Sequence, residues 1–594
     1  MPVAPARESS AAPADDSSPV RPQPSQPDTL PTSPRDLLWL LPLALALSTV
    51  AAIRVRDFDT FWHLATGRWI VEHRAIPPVD PFSFTAGGRE LLAVPWLSDL
   101  VLYGAYALGG FAMLVVLNVA AAAMTSGLLI LAAREMSTPP SAILAFLPFF
   151  VVAAQPRLSQ TRPETFGLTF LSLVLLLILR FWRRRDAWLL ALPVVTLVWI
   201  QAHAGAVLAV PVAGTLVVAC LITRAPRRDA LMAFGVFVAT LALFGVTKSG
   251  RELVHLGILC SERYSPVMIA HTAEWRHPDF RNGDLWVPLV VLLASLVWAI
   301  KRPRNAALPV GLALLGALMV SQAIRHIGAA LVLSVPLIAG ASGAVRVHLL
   351  SRLSALLRPA LLLLITLGLP LAHLAVSPVR DSRVSFGFGL DTTRFPIDTY
   401  ETILKLPVGR TMNDYHLGGY LIWRRIPEGV FWDGRNISLY PDSMYDEALR
   451  ATESSPALEA YADRWNIAYG LSPFDGNFGS AMMQSDRWVP VHHGVAATLF
   501  VRRKNLDLAR QSGVEPLDLL RAQPDAGWMD WWYGPILRNP ALLAELEKEI
   551  ARAAAMTRDA PVLELALDHV RAHRPDLHAK LLERIGAGNE VPAR

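Results

Sequence analysis

The chain is short of cysteine and short of charge. Only Cys220 and Cys260 occur among its 594 residues. One lies inside an apolar run and the other in a polar stretch, which argues against a disulfide-stapled scaffold. No CxxC pair and no HExxH run is present, so neither common zinc spacing is written in the chain. Charged residues make up 18%, where a soluble domain usually carries about 25%. The shortage is concentrated in the first two thirds, and there hydrophobic residues bring the whole chain to 53%. A net charge of +6 does not predict a nucleic-acid partner, because the arginines sit in short clusters between apolar runs.

Those runs cover 37–53, 109–133, 140–154, 165–181, 187–201, 205–222, 229–246, 286–300, 306–321, 327–344 and 359–376. They predict about eleven helical spans, since a hydrocarbon core about 30 Å thick asks for about 20 apolar residues. The segment 92–107 is apolar and amphipathic and is expected to lie along the interface. Residues 1–34 are rich in Pro, Ser and Ala without hydrophobic period and read as a disordered tail. The run 37–53 ends in small residues, as a signal-peptide core does. The long Pro-rich segment before it is a poor n-region, so it reads as an uncleaved span.

Orientation follows from the basic clusters Arg180–Arg185, Arg224–Arg228, Lys301–Arg304 and Arg346–Arg358. They fall on alternate loops and hence on one face, which the positive-inside rule makes cytoplasmic. The tail 1–34 shares that face. The opposite face receives the loop 54–91, the stretches 155–164 and 247–285, the turns at His203 and Arg325-His326, and everything beyond 377.

After 377 the composition becomes that of a soluble domain. Short β-rich runs at Gly429–Trp432, Ile467–Leu471, Arg487–Val491 and Ala496–Val501 alternate with helical stretches near 396–406, 442–452 and 456–465. That pattern predicts a small α/β domain over 377–505, and helix-type spacing from 506 predicts a helical tail over 506–594. The expected fold class is thus an all-α polytopic membrane domain over 35–376, a small α/β soluble domain and a helical tail.

The first outer loop opens with Arg56-Asp57-Phe58-Asp59-Thr60-Phe61-Trp62-His63-Leu64. A carboxylate at Asp57 or Asp59 suits a general base towards an acceptor hydroxyl. Asp57, Asp59 and His63 also have the ligand types for a divalent cation such as Mg2+ or Mn2+. The plainer reading is a solvated loop whose Phe58, Phe61 and Trp62 anchor it at the interface. Asp80-Pro81 reads as a turn. The other outer stretches are unusually basic: Arg157, Arg162, Lys248, Arg263, Arg325 and His326, with Glu164 and His203 among them. Charges at span ends line cavities rather than face lipid, and arginine forks onto phosphate. Singly, each pairs with a nearby glutamate or snorkels to headgroups; as a group they suit an anionic, lipid-linked substrate. Asn413–Trp423 and Asp433-Gly434-Arg435 read as mainly structural turns.

At these residues the chain resembles a group of bacterial multi-spanning proteins of glycosyltransferase C architecture. The likeness rests on the D-x-D…W-H-L-x-x-G run from Asp57 to Gly67, D-P-F-S at Asp80–Ser83, Trp96-Leu97 opening a helix, and the late pair Asn413–Trp423 and Asp433–Arg435. It spans roughly 37–503. Val94-Pro95 and Thr247-Lys248-Ser249-Gly250 depart from the pattern. The resemblance implies a bacterial inner-membrane transferase that takes a sugar from a polyprenyl-phosphate donor on the non-cytoplasmic face. An acidic residue of the first loop would then be base or metal ligand. A transporter or flippase for a lipid-linked glycan and a non-catalytic membrane scaffold are the competing readings, although no repeated halves of the transporter kind are visible.

Overall fold

The computed structural model describes residues 44, 48, 51–92, 95–136, 143, 147, 150, 154–263, 277–279, 293, 303–344, 364, 368, 386–435 and 439–587. The expected spans 37–53, 140–154, 286–300 and 359–376, the tail 1–34, and the clusters Lys301–Arg304 and Arg346–Arg358 fall wholly or largely outside them, as does the side chain of Arg263. The N-terminal two thirds is helical: α1 (Asp59–His73), α2 (Trp96–Glu135), α3 (Pro163–Arg184), α4 (Ala191–Ala202), α5 (Ala209–Ile222), α6 (Arg227–Val246), α7 (Lys248–Arg263), α8 (Pro303–Gln322) and α9 (Ile327–Ala344). Among the described residues, four helical segments are long and apolar enough to cross a membrane: Trp96–Glu135, Pro163–Arg184, Ala204–Ile222 and Arg227–Val246. Ala187–Ala202, Ala306–Gln322 and Ile324–Ala339 are shorter and also apolar.

Helix α2 is broken where the interfacial segment was expected to hand over to a span. Gly109 and Gly110 leave helical geometry there, Gly110 with φ 62 and ψ −154, a conformation open to glycine and closed to residues with a Cβ. Beyond the break α2 packs along α3, α5 along α6 and α8 along α9. Leu168, Leu171, Leu175 and Ile178 recur at helical spacing and are buried. Lipid tails are as apolar as leucine, so close packing and polar bonds hold such helices together; Thr125 and Thr169 supply one at 2.9 Å between α2 and α3. Arg184 pairs with Glu135 at 2.8 Å and Arg185 with Asp229 at 3.6 Å. The C-termini of α2 and α3 and the N-terminus of α6 therefore share one end of the bundle.

The late domain contains α10 (Ile397–Ile403), α11 (Gly418–Trp423), α12 (Asp442–Ala451), α13 (Ser455–Arg464), α14 (Asn477–Gln484) and α15 (Leu506–Gln511). They surround β1 (Arg410–Asn413), β2 (Ile467–Ser472), β3 (Trp488–His493) and β4 (Thr498–Arg502), a sheet of order β1-β2-β4-β3. The β1–β2 pair is parallel and the other two are antiparallel. Three of the expected strands form. Gly429–Trp432 does not join the sheet; Val430 instead exchanges backbone bonds with Phe82 and Phe84 of the first outer loop. The fourth strand is β1, which four residues were too short to announce.

The tail is built of α16 (Ala526–Arg538), α17 (Pro540–Met556), α18 (Pro561–His573) and α19 (Pro575–Ala587). Its Leu546, Ile550, Leu563 and Val570 share one core with Met412, Phe431, Met482 and Trp488. Glu549 accepts from the Leu519 and Leu520 amides at 2.8 Å each, and buried Arg521 donates to the carbonyls of Met483, Ser485 and Trp488. Buried His493 bonds Thr498 Oγ1 at 3.1 Å and the Leu520 carbonyl at 2.8 Å.

Burial pulls the His493 imidazole down to about 3 against the opposing Leu520 bond. The folded value lies below the unfolded one, near 6.5, so His493 contributes full stability above about pH 6.5. That stability is lost as pH falls, at about 1.4 kcal/mol per pH unit. The melting temperature is expected to drop between pH 7 and pH 5, and His493→Gln to remove part of that slope. An unchanged slope would reject the assignment.

Candidate functional site

Helix α1 carries the site, and the late domain holds α1 in place. Where the chain leaves the first apolar run, the Val55 amide donates to the Gly389 carbonyl at 2.8 Å and the Asp391 amide to the Val55 carbonyl at 2.9 Å. Phe61 is fully buried among Phe111, Phe395 and Tyr420, with ring centroids 4.6–5.7 Å apart. On the other side Gly67 lets α1 approach α2: a Cβ there would stand 2.2 Å from the Asp99 carbonyl.

Asp57 and Asp59 share one guanidinium. Arg162 Nη1 donates to Asp59 Oδ2 at 2.8 Å, and its Nε lies 3.2 Å from Asp57 Oδ2. The Asp59 amide donates to Asp57 Oδ1 at 3.0 Å, and Gln160 takes a further bond from Arg162 Nε at 3.1 Å. Asp57 is 15% exposed and Asp59 28%, so Asp59 is the more open of the two. Thr60 Oγ1 bonds the Thr161 carbonyl at 2.9 Å, which locks the start of α1 to the loop before α3. Arg157 pairs with Glu164 at 3.4 Å.

His63 is turned away from the carboxylate pair. Its Nδ1 lies 2.6 Å from Asp99 Oδ1, both side chains being buried. Burial first, then the charges of Arg162 and His203, push the imidazole well below 6.5. It is therefore a neutral ring hydrogen-bonded to Asp99, with the Trp62 ring 3.5 Å away. His203 is also neutral, lowered to about 4 by burial and by Arg325 and Arg162 against the pull of Glu164. Arg325 and His326 form a short 3-10 turn before α9. Arg157, Arg162, Glu164, His203 and Arg325 act on one another electrostatically, and so gather with Asp57 and Asp59 at the bundle end opposite Glu135. Lys248 lies apart: it is 82% exposed and paired with Glu252 at 3.7 Å. Asp57, Asp59 and His63 are not among the described groups whose ligand atoms lie within 4.8 Å of one another. Asp57 and Asp59 offer hard oxygen donors of the kind that suit Mg2+ or Mn2+.

The late turn reaches this site, which its sequence did not announce. Gly434 presses on α1 so closely that a Cβ would stand 2.4 Å from Asp59 Oδ1 and 3.3 Å from Trp62 Nε1. Trp62 Nε1 is buried with no partner among the described residues. Arg435 anchors the turn by donating to Asp80 Oδ1 at 2.6 Å and to both oxygens of Asp433 at 2.7 Å. Asp80 also accepts from the Phe82 and Ser83 amides at 3.1 Å, so the D-P-F-S turn and the D-G-R turn form one unit. Asn413 fixes it from below, donating to the Trp432 carbonyl and accepting from the Phe431 amide at 2.9 Å each. Asp99 was missed as well; its signal was an acid in the first turn of an otherwise apolar helix. The start of α2 and the 247–250 loop are joined through Gln201. Its Oε1 accepts from Trp96 Nε1 and Ser249 Oγ at 2.8 Å each.

This geometry makes Gly434→Ala informative. The atom in the way is the end of a movable carboxylate, so the fold tolerates the methyl, but Asp59 must leave its place beside Arg162. Misplacement of a reacting group by about 1 Å costs roughly a hundredfold in rate. Any chemistry that uses Asp59 in its present place is expected to slow on that scale, with little change in melting temperature. Full activity would show that Asp59 is not needed where it stands.

No protein-family model matches the chain, and no curated protein matches its sequence. Among solved structures, the archaeal oligosaccharyltransferase AglB from Archaeoglobus fulgidus, in complex with an inhibitory peptide and a dolichol-phosphate, aligns with a TM-score of 0.53. It is 12% identical, with 94% of this chain and 86% of that one covered. The Archaeoglobus fulgidus oligosaccharyltransferase tethered to an acceptor peptide containing the NVT sequon gives 0.53 at 11% identity, covering 92% and 87%. ArnT from Cupriavidus metallidurans bound to undecaprenyl phosphate gives 0.48 at 13% identity, covering 79% and 98%, too loose a match to argue from. At such identities the likeness concerns the fold alone: the fold of this chain is similar to that of the Archaeoglobus fulgidus oligosaccharyltransferase.

Proposed function

We propose that this chain is a bacterial inner-membrane glycosyltransferase that moves a sugar from a polyprenyl-phosphate donor to an acceptor on the non-cytoplasmic face. The observation that carries the reading is the single Arg162 gripping Asp57 and Asp59 at the bundle end where other cationic side chains gather. The dolichol-phosphate bound to the AglB relative in fold supports a lipid-phosphate ligand for such a site. In the reaction, the acceptor hydroxyl forms a bond to the sugar's anomeric carbon as the bond from that carbon to the phosphate oxygen breaks. Asp59 takes the hydroxyl proton, and polyprenyl phosphate leaves with the bonding electron pair. Arg162, joined by Arg157 and Arg325 around it, offsets the charge that develops on that phosphate; His326, lowered to about 4 by burial and by Arg325, contributes a ring hydrogen bond rather than charge. Lys248 and Arg263, further along the outer stretch, are assigned to the lipid phosphate's approach. A Mg2+ or Mn2+ held by Asp57 and Asp59 would screen the same phosphate when bound. Trp62 Nε1, a buried donor facing the turn, is suited to a substrate hydroxyl.

The test uses membranes bearing the protein and polyprenyl-phosphate sugars labelled in the sugar. Label on an acceptor together with released polyprenyl phosphate supports transfer. Label that crosses the bilayer still attached to lipid overturns the reading in favour of transport, and no label movement of either kind favours a scaffold.

The pairing of Val55 with Gly389 and Asp391 supports placing the first loop and the late domain on one face. Cysteines introduced at Ala75 and Glu428, both exposed, are expected to react with an impermeant reagent from outside, and one at Pro226 only after permeabilisation. Labelling of Ala75→Cys and Glu428→Cys from opposite sides would break the topology.

A further inference from the structure

Far from the carboxylate pair, the helical tail holds a set of side chains arranged as ligands. Asp530 on α16 and His569 and His573 on α18 bring one ligand atom each within 4.8 Å of the others. The two histidines are four residues apart and so stand one above the other on a single helix face, their rings stacked at 4.3 Å. Asp530 Oδ1 lies 3.4 Å from His573 Nε2 and 3.8 Å from His569 Nε2. Metal–nitrogen bonds of about 2.0–2.1 Å in tetrahedral geometry place neighbouring ligand atoms about 3.3 Å apart, close to the spacing observed. His573 Nδ1 donates to the His569 carbonyl at 3.0 Å. That bond fixes the tautomer and leaves the Nε2 lone pair aimed at Asp530, as a ligating histidine requires.

We propose that Asp530, His569 and His573 bind one divalent transition-metal ion, with zinc as the natural occupant, and that the ion clamps α16 to α18. Two imidazoles and a carboxylate suit zinc, cobalt or nickel, whereas magnesium prefers an all-oxygen shell. The side chains of Asp530 and His573 are 62% and 50% exposed and that of His569 10%. The ion therefore has an entry path, and water completes its fourth position. The clamp is independent of any cation at Asp57 and Asp59, whose donors are oxygen alone. Trp531 and Trp532 follow Asp530 directly, Trp531 being exposed, so a paramagnetic ion at this place has built-in fluorescent reporters.

The experiment uses the full chain in detergent micelles, stripped with chelator and dialysed against Zn2+, Co2+ or Mg2+. Expected are about one equivalent of Zn2+ per chain, visible Co2+ absorption bands, quenching of tryptophan emission by Co2+, and no response to Mg2+. His573→Gln and Asp530→Asn, both on the solvent side, should keep the far-ultraviolet dichroism and lose metal affinity by at least about tenfold. Asp59→Asn should bind Zn2+ as the unaltered chain does. Equal metal content in the unaltered chain and in the His573→Gln and Asp530→Asn variants, or none in the unaltered chain, overturns the proposal.

Discussion

Asp59→Asn is expected to lower sugar transfer by a factor of about a hundred to ten thousand, the usual contribution of a positioned general base, while the protein stays folded and inserted. The amide keeps the size of the carboxylate, so the packing of Asp59 against Gly434 survives, and what is lost is proton affinity. Asp59 is chosen over Asp57 on geometry. It is the more open of the two, 28% against 15%, whereas Asp57 spends one oxygen on the Asp59 amide and the other on Arg162. From sequence neighbours alone, Asp59 beside the aromatic run would be the drier acid and Asp57 beside Arg56 the neutralised one. The structure gives Asp57 a different partner, Arg162, and makes Asp59 the wetter residue, so accessibility to the acceptor takes over as the argument. Asp57→Asn is expected to cost less, through loosened placement of α1 and of Arg162. Arg162→Gln is expected to reduce transfer strongly as well, since the charge facing the leaving phosphate goes with it. Initial rates with labelled polyprenyl-phosphate sugar, at matched expression, decide the order. If Asp57→Asn is dead and Asp59→Asn fully active, the two roles exchange; if both are active, catalysis does not run through this loop.

How much was legible follows from how local each signal is. Spans such as 165–181 and 229–246 are read from a run of one chain against the bilayer's demand, and the helices Pro163–Arg184 and Arg227–Val246 lie over them. The convergence of Asp57 and Asp59 with Arg162 could be expected because charges at outer span ends have few other places to go. His63 was placed beside the wrong acid for the same reason that the rest worked. Four residues after Asp59 it sits one turn on, but its ring rotates towards Asp99, thirty-six residues away, and only tertiary packing decides between them. The Gly429–Trp432 run has strand composition and no sheet neighbour; its partner is the loop 82–84, which no periodicity reveals. The role of Asp433-Gly434-Arg435 was hidden in the same way, because its meaning lies in a contact with α1 across more than three hundred residues.

The largest stability effect is expected at that turn. Arg435 is 3% exposed between Asp80 and Asp433, both fully buried, so one cation offsets two anions out of water. Burial alone would push the Asp433 carboxyl up, but the Arg435 charge and bonds, with the Tyr440 hydroxyl bonded at 2.7 Å, outweigh it and hold Asp433 below the usual range. Arg435→Leu leaves two like charges buried without their counter-ion. Breaking such a set from one side costs about 3–5 kcal/mol, which in a unit of about 200 residues lowers the melting temperature by on the order of 10 °C. Asp80→Asn leaves the Arg435–Asp433 pair intact and should cost clearly less. The triple variant Asp80→Asn, Asp433→Asn, Arg435→Leu removes every charge together and should recover part of what Arg435→Leu alone loses, because the cost lies in unbalanced burial and not in the missing bonds. Thermal unfolding of the full chain in detergent, followed by tryptophan emission, reads all three. The account fails if Arg435→Leu melts within a degree or two of the unaltered chain, or if the triple variant is less stable than Arg435→Leu. The same turn positions Gly434 over Asp59, so Arg435→Lys, which keeps the charge and loses the fork, is expected to melt only slightly lower yet transfer sugar more slowly.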